Sequence, residues 1–65
     1  MDWHSKVGKT HKFEDGRFMR LVQIKDREGG PWMIWEVTDP PGNPRRFYTP
    51  LNEFAMQFES IFFNN

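Results

Sequence analysis

The chain has 65 residues, no cysteine, and nine Lys/Arg balanced by nine Asp/Glu. That length supports one small core, and the missing cysteines exclude a disulfide framework, a thiol nucleophile and a Cys-based zinc site. Balanced charge argues against a protein held to nucleic acid by bulk charge alone, while seven Phe, three Trp and one Tyr offer enough ring area for a core without staples.

Residues 1–6, Met1-Asp2-Trp3-His4-Ser5-Lys6, lack the apolar run of a secretory signal and read as a loose N-terminal arm. No stretch approaches the roughly 18 apolar residues a membrane helix needs, so a cytoplasmic chain without membrane contact is expected. A first strand is predicted over residues 10–13, followed by Glu14-Asp15-Gly16, a favoured tight-hairpin sequence because Gly accepts positive φ. A second strand runs over 17–25, and the charged, Gly-rich residues 26–31 read as a flexible loop. Residues 32–38 have the strongest β composition. In Asp39-Pro40-Pro41-Gly42-Asn43-Pro44 the chain must reverse, with Pro41-Gly42 suited to the centre of a type II turn.

A fourth strand is expected over 45–49. The period then changes: Thr49 can cap, Pro50 suits a first helical position, and Leu51, Phe54, Ala55 and Phe58 share one face, which predicts a short helix over 50–57. Residues 59–63 are expected to form a fifth, closing strand. Strict alternation opposes Met19 and Leu21 to Phe18, Arg20, Val22 and Ile24, and opposes Met33, Trp35 and Val37 to Trp32, Ile34 and Glu36. Neither face of the central hairpin is cleanly polar. The expected class is therefore mainly β: a small, partly open antiparallel barrel of about five strands with one short helix, all in a single domain.

Strand, hairpin, two long strands, a Pro-Gly turn, a short strand and a helical turn make the layout of an SH3-like barrel. The chain resembles a loose group of short bacterial and phage proteins with that expected fold. The residues that carry the likeness are Gly8, Lys9, His11, Gly16, Val22, Phe47, Tyr48, Pro50, Leu51, Phe54 and Phe58, within residues 7–59. The resemblance implies a fold and carries no activity with it.

Catalytic chemistry has little to stand on. His4 and His11 are seven apart and match no helical metal-binding pair, so no metal is expected. The carboxylates Glu14, Asp15, Asp26 and Glu28 fall in turns, where they solvate the loop. Glu28-Gly29-Gly30-Pro31 lacks the Lys-Ser/Thr and helix of a phosphate-cradling loop, and Ser5 and Ser60 have no evident His and acid partners. The expectation is a non-enzymatic binding module without a cofactor. Its leading form engages a protein partner through Trp32, Trp35, Arg45, Arg46 and Tyr48, since Trp, Tyr and Arg dominate interface hot spots. Its alternative is a weak nucleic-acid-binding barrel using Lys9, Lys12, Arg17, Arg20 and Arg46, with cations meeting phosphates and rings meeting bases. Trp3, Trp32, Trp35, Phe62 and Phe63 exceed what one small core is expected to enclose, so an outward Trp32 and Ile34 would form a patch covered by a host protein or by self-association as a homodimer, and a third reading is an obligate oligomer whose symmetry-related faces build a pocket.

Overall fold

The computed structural model describes residues 2–63. Four strands, β1 (Thr10–Lys12), β2 (Phe18–Arg27), β3 (Gly30–Thr38) and β4 (Arg45–Pro50), form one antiparallel sheet in the order β1-β2-β3-β4. A 3-10 turn, Trp3–Lys6, precedes the sheet, and a helix, α1 (Leu51–Phe62), follows it.

Local chemistry sets each reversal. Between β1 and β2, the Phe13 N–H donates to the Arg17 carbonyl at 2.8 Å and the Gly16 N–H to the Phe13 carbonyl at 3.0 Å. This is a three-residue loop, and Gly16 at φ +94° is the position that needs glycine. The β2–β3 connection is tighter than the six-residue loop expected. Arg27 pairs with Gly30, leaving only Glu28 and Gly29 outside the ladder, because Gly29 and Gly30 both hold positive φ and reverse the chain at once. The turn after β3 also differs. Its hydrogen bond runs from Gly42 N–H to Asp39 carbonyl at 2.6 Å, so Pro40 and Pro41 occupy the centre, joined by a cis peptide bond, where Pro41-Gly42 was expected.

One irregularity in β2 redirects the whole central hairpin. Leu21 pairs with Trp35 and Gln23 with Ile34, so Val22 is an extra residue without a partner. Beyond this bulge the alternation is displaced by one, and Ile24 pairs with Met33 and packs on the core. Strict alternation had put Ile24 on the opposite face; the bulge corrects that assignment and gains an apolar side chain for the interior.

The expected closing strand over 59–63 does not form, because α1 continues to Phe62. Phe62 lies four residues beyond Phe58 and seven beyond Ala55, which extends the same helical stripe by a turn. Phe62 is therefore buried in the core, whereas a strand would have had to choose between Phe62 and Phe63. The sheet accordingly has four strands and stays open. Thr49 is not the helix cap: it still pairs with Met33, Pro50 pairs with Trp32, and α1 begins at Leu51 with no side-chain cap.

The core cluster lies on one side of the sheet. Leu21, Met33 and Trp35 are completely enclosed, and Trp3, Phe54 and Phe62 complete the core cluster. Trp3 comes from the segment expected to be loose, yet it is 4% exposed. Asp2 starts its turn by accepting from the His4 N–H at 3.1 Å, and the indole then meets Trp35, Phe54, Phe62 and Phe63 at centroid distances of 4.8–6.3 Å. Three of these contacts, those to Trp35, Phe54 and Phe63, are edge-to-face, an arrangement that adds about 0.5–1.5 kcal/mol per pair beyond area burial. The ring load that looked excessive for a small core is largely consumed here.

Candidate binding face

The strand register assigns every sheet side chain to one of two faces. Met19, Leu21, Ile24, Met33, Trp35 and Phe47 take the side covered by α1 and the N-terminal turn. The other side carries, across the four strands, Thr10 and Lys12; Phe18, Arg20, Lys25 and Arg27; Trp32, Ile34, Glu36 and Thr38; Arg46 and Tyr48. No helix among the described residues packs on this open face.

Charge segregates with the face. Five of the nine Lys/Arg stand there, namely Lys12, Arg20, Lys25, Arg27 and Arg46, whereas among the described residues the register places only Glu36 of the nine Asp/Glu on it. A chain of zero net charge thus presents a face of five positive and one negative groups, a local excess of four. Glu36 occupies the middle. Arg20 Nη2 lies 3.2 Å from one of its oxygens and Arg46 Nε 3.8 Å from the other, so a single carboxylate holds two guanidinium groups from the flanking strands. Lys12, Lys25 and Arg27 have no carboxylate within ion-pair distance among the described residues.

Three rings are interleaved with these cations. The Lys12 ammonium sits 5.7 Å from the Phe18 centroid, and the Arg27 guanidinium 5.9 Å from that of Trp32. Tyr48 is the most open of the three, at 57% exposure. It stands opposite Ile34 on β3, which is flanked on its other side by Gln23 of β2 and is only 8% exposed. Trp32 and Tyr48 are diagonal neighbours across the β3–β4 ladder, which brings both rings within reach of one ligand.

The residues expected to meet a protein partner are divided by this arrangement. Trp32, Arg46 and Tyr48 share the open face. Trp35 is 1% exposed and stacks on Phe54 at 5.0 Å, so it cannot touch a partner; it pairs with Leu21 and Phe47 on the helix side, one step out of phase with Trp32. Arg45 alternates away from the open face as well and donates to Asp39 at 2.8 Å, bracing the preceding turn. Of the residues expected to meet nucleic acid, Lys12, Arg20 and Arg46 lie on the open face. Arg17 belongs to the β1–β2 loop, where its Nε donates to Asp15 at 2.8 Å. The Arg17 backbone N–H bond and the guanidinium together hold the exposed Asp15 carboxyl below its ordinary value. Lys9 precedes β1 and lines a small recess of about 130 Å³ together with Lys6, His11 and Trp35. Lys25 and Arg27 were not among the expected residues. Their signal was present as cations at alternate positions of one strand, but the bulge decides which face they share with Arg20.

A second concavity lies on the helix side. An open cleft of about 790 Å³ runs between the β1–β2 end of the sheet and α1, with Phe13, Met19, Phe47, Phe58 and Ile61 among its walls. Its nearest charged group, Arg17, is already engaged by Asp15. The recess near Lys9 is equally unpromising for recognition through Trp35, because the indole Nε1 has no hydrogen-bond partner and no accessible area. No three His, Asp or Glu side chains converge among the described residues.

The fold and its face define a small antiparallel meander with one side packed under a helix and the other open, cationic and aromatic. No protein-family model, curated protein or solved structure matches the chain.

Proposed function

We propose that the protein is a non-enzymatic nucleic-acid-binding module acting through the open sheet face. The observation that carries this reading is the concentration, among the described residues, of five Lys/Arg and three rings against one acid on the side of the sheet away from α1. Cations on a broad face meet phosphates, and each neutralised phosphate releases counterions, so affinity depends on salt. Whole-chain neutrality is no obstacle to this, because beyond about 8 Å the acids of other faces are screened at physiological ionic strength.

Salt titration tests it. Binding of a labelled mixed-sequence nucleic acid, followed by anisotropy, is expected to fall linearly on a log–log plot, with a slope of about −2 to −4 for three to five engaged cations. A flat response, or no binding at low ionic strength, rejects the reading. The second reading is a protein partner or a second copy docking on the strip Trp32, Ile34 and Tyr48 beside Arg46, favoured by the 57% exposure of Tyr48. An interface of that kind would keep its affinity in high salt. The SH3-like resemblance stands as a further proposal about the fold; the consecutive strand order and the Pro50–Leu51 junction from β4 into α1 support it.

A further inference from the structure

Resting on the nucleic-acid reading, we infer that the open face takes single strands, with unpaired bases stacked on Tyr48 and Trp32 and phosphates led along the cations that bracket them. The argument begins with the order of groups along the sheet. Lys12 and Phe18 face each other; next come Arg20 and Arg46 on either side of Glu36; then Ile34 beside Tyr48; then Lys25 beside Trp32; and Arg27 beyond. Successive same-face positions are about 7 Å apart along a strand. Charged and aromatic rows therefore alternate on a scale that lets one chain of nucleotides meet both.

Shape separates single strands from duplex. Beside Trp32 and Tyr48 the platform consists of β2, β3 and β4, one strand more than the two-stranded ribbon that the ~12 Å major groove admits. A duplex can touch such a platform only with its phosphates, leaving the rings without a partner. An unpaired base offers a free π face. Tyr48 is over half exposed and offers a base its open face, while Trp32 is partly buried with the Arg27 guanidinium over its ring, so a base stacks there only where that guanidinium moves aside or leaves the opposite face open.

The experiment compares oligothymidylate, the same strand annealed to oligoadenylate, and heparin at one ionic strength, for the native chain and for Tyr48→Ala and Tyr48→Phe. Single strands are expected to bind at least about tenfold tighter than duplex. Losing one stacking ring should weaken single-strand binding about five- to hundredfold, leave heparin and duplex binding nearly unchanged, and be rescued by Phe. Tryptophan fluorescence should quench on single-strand binding, reporting Trp32, since Trp3 and Trp35 are enclosed. Far-UV circular dichroism shows whether each variant folds. Equal affinity for single strand and duplex, or a Tyr48→Ala chain that binds both as before, overturns the inference and leaves the nucleic-acid reading standing. No binding of any of the three polyanions overturns both.

Discussion

Glu36 lies at the centre of the cationic face, bonded to Arg20 across one ladder and close to Arg46 across the other. Its carboxylate competes with any phosphate that approaches those two guanidinium groups, yet it also spreads them into a fixed pair. Replacing it with Gln keeps the shape and removes the charge. Glu36→Gln is expected to tighten nucleic-acid binding at low salt about three- to tenfold and to steepen the salt slope by up to about one. Stability should move by less than about 1 kcal/mol, because the pair is partly solvated. Anisotropy titrations at several salt concentrations, beside a urea melt, measure both; weaker binding by Glu36→Gln would mean that the carboxylate itself contacts the ligand. At this scale the sequence was partly legible. Arg20, Arg46, Trp32 and Tyr48 are all of types that make surface contacts, but Trp35 is chemically identical to Trp32 and spends its ring in the core. Only the side of the sheet on which each falls tells them apart.

Among the elements, β3 and α1 show how far periodicity reaches. The run over β3 alternates Trp32, Ile34 and Glu36 with Met33, Trp35 and Val37, and the ladder places those two sets on opposite faces as the alternation requires. In α1 the stripe Leu51, Phe54, Ala55 and Phe58 was plain, but its continuation through Phe62 was masked by a run of adjacent apolar residues, Ile61, Phe62 and Phe63, which suits a strand equally well. The tie is broken by Trp3, whose indole packs 5.7 Å from Phe62 and draws the helical stripe onward. A direct check is Ser60→Pro at an exposed position in the last turn. Proline there removes a helical hydrogen bond and should cost up to about 3 kcal/mol, whereas Ser60→Ala should be neutral or slightly stabilising. Urea denaturation followed by tryptophan fluorescence measures the difference; equal midpoints for the two variants would show that the final turn contributes nothing. The bulge at Val22 was not legible at all, since nothing in β2 marks an extra residue until the partner strand demands that Ile24 meet Met33.

For the molecule as a whole, the arrangement concentrates like charge. Lys12, Arg20, Lys25, Arg27 and Arg46 share one face, and only Glu36 offsets them there among the described residues. Neighbouring cations about 7 Å apart repel by a fraction of a kcal/mol per pair in water, and added salt screens that repulsion. The thermal midpoint of the free protein is therefore expected to rise by a few degrees as sodium chloride goes from low to about 0.5 M. A melt that falls with salt would mean that attractive surface pairs outweigh the crowded face. Binding should respond in the opposite direction, and this contrast separates the energetics of the fold from those of the ligand.

The β class, the approximate course of the four strands and their reversals, and the onset of a helix near residue 50 are all local matters, because turn residues and period act over a few neighbouring positions. The helical state of residues 59–62, the burial of Trp3 and the one-residue shift at Val22 emerge only from packing. Each of these depends on a contact with a distant segment: the N-terminal turn for the helix, the central strand for the shift. Packing leaves Trp3 and Trp35 inside, and the strand pairing sets Trp32 among five cations on the open face, which is why composition shows a neutral chain and the folded molecule presents a positive surface.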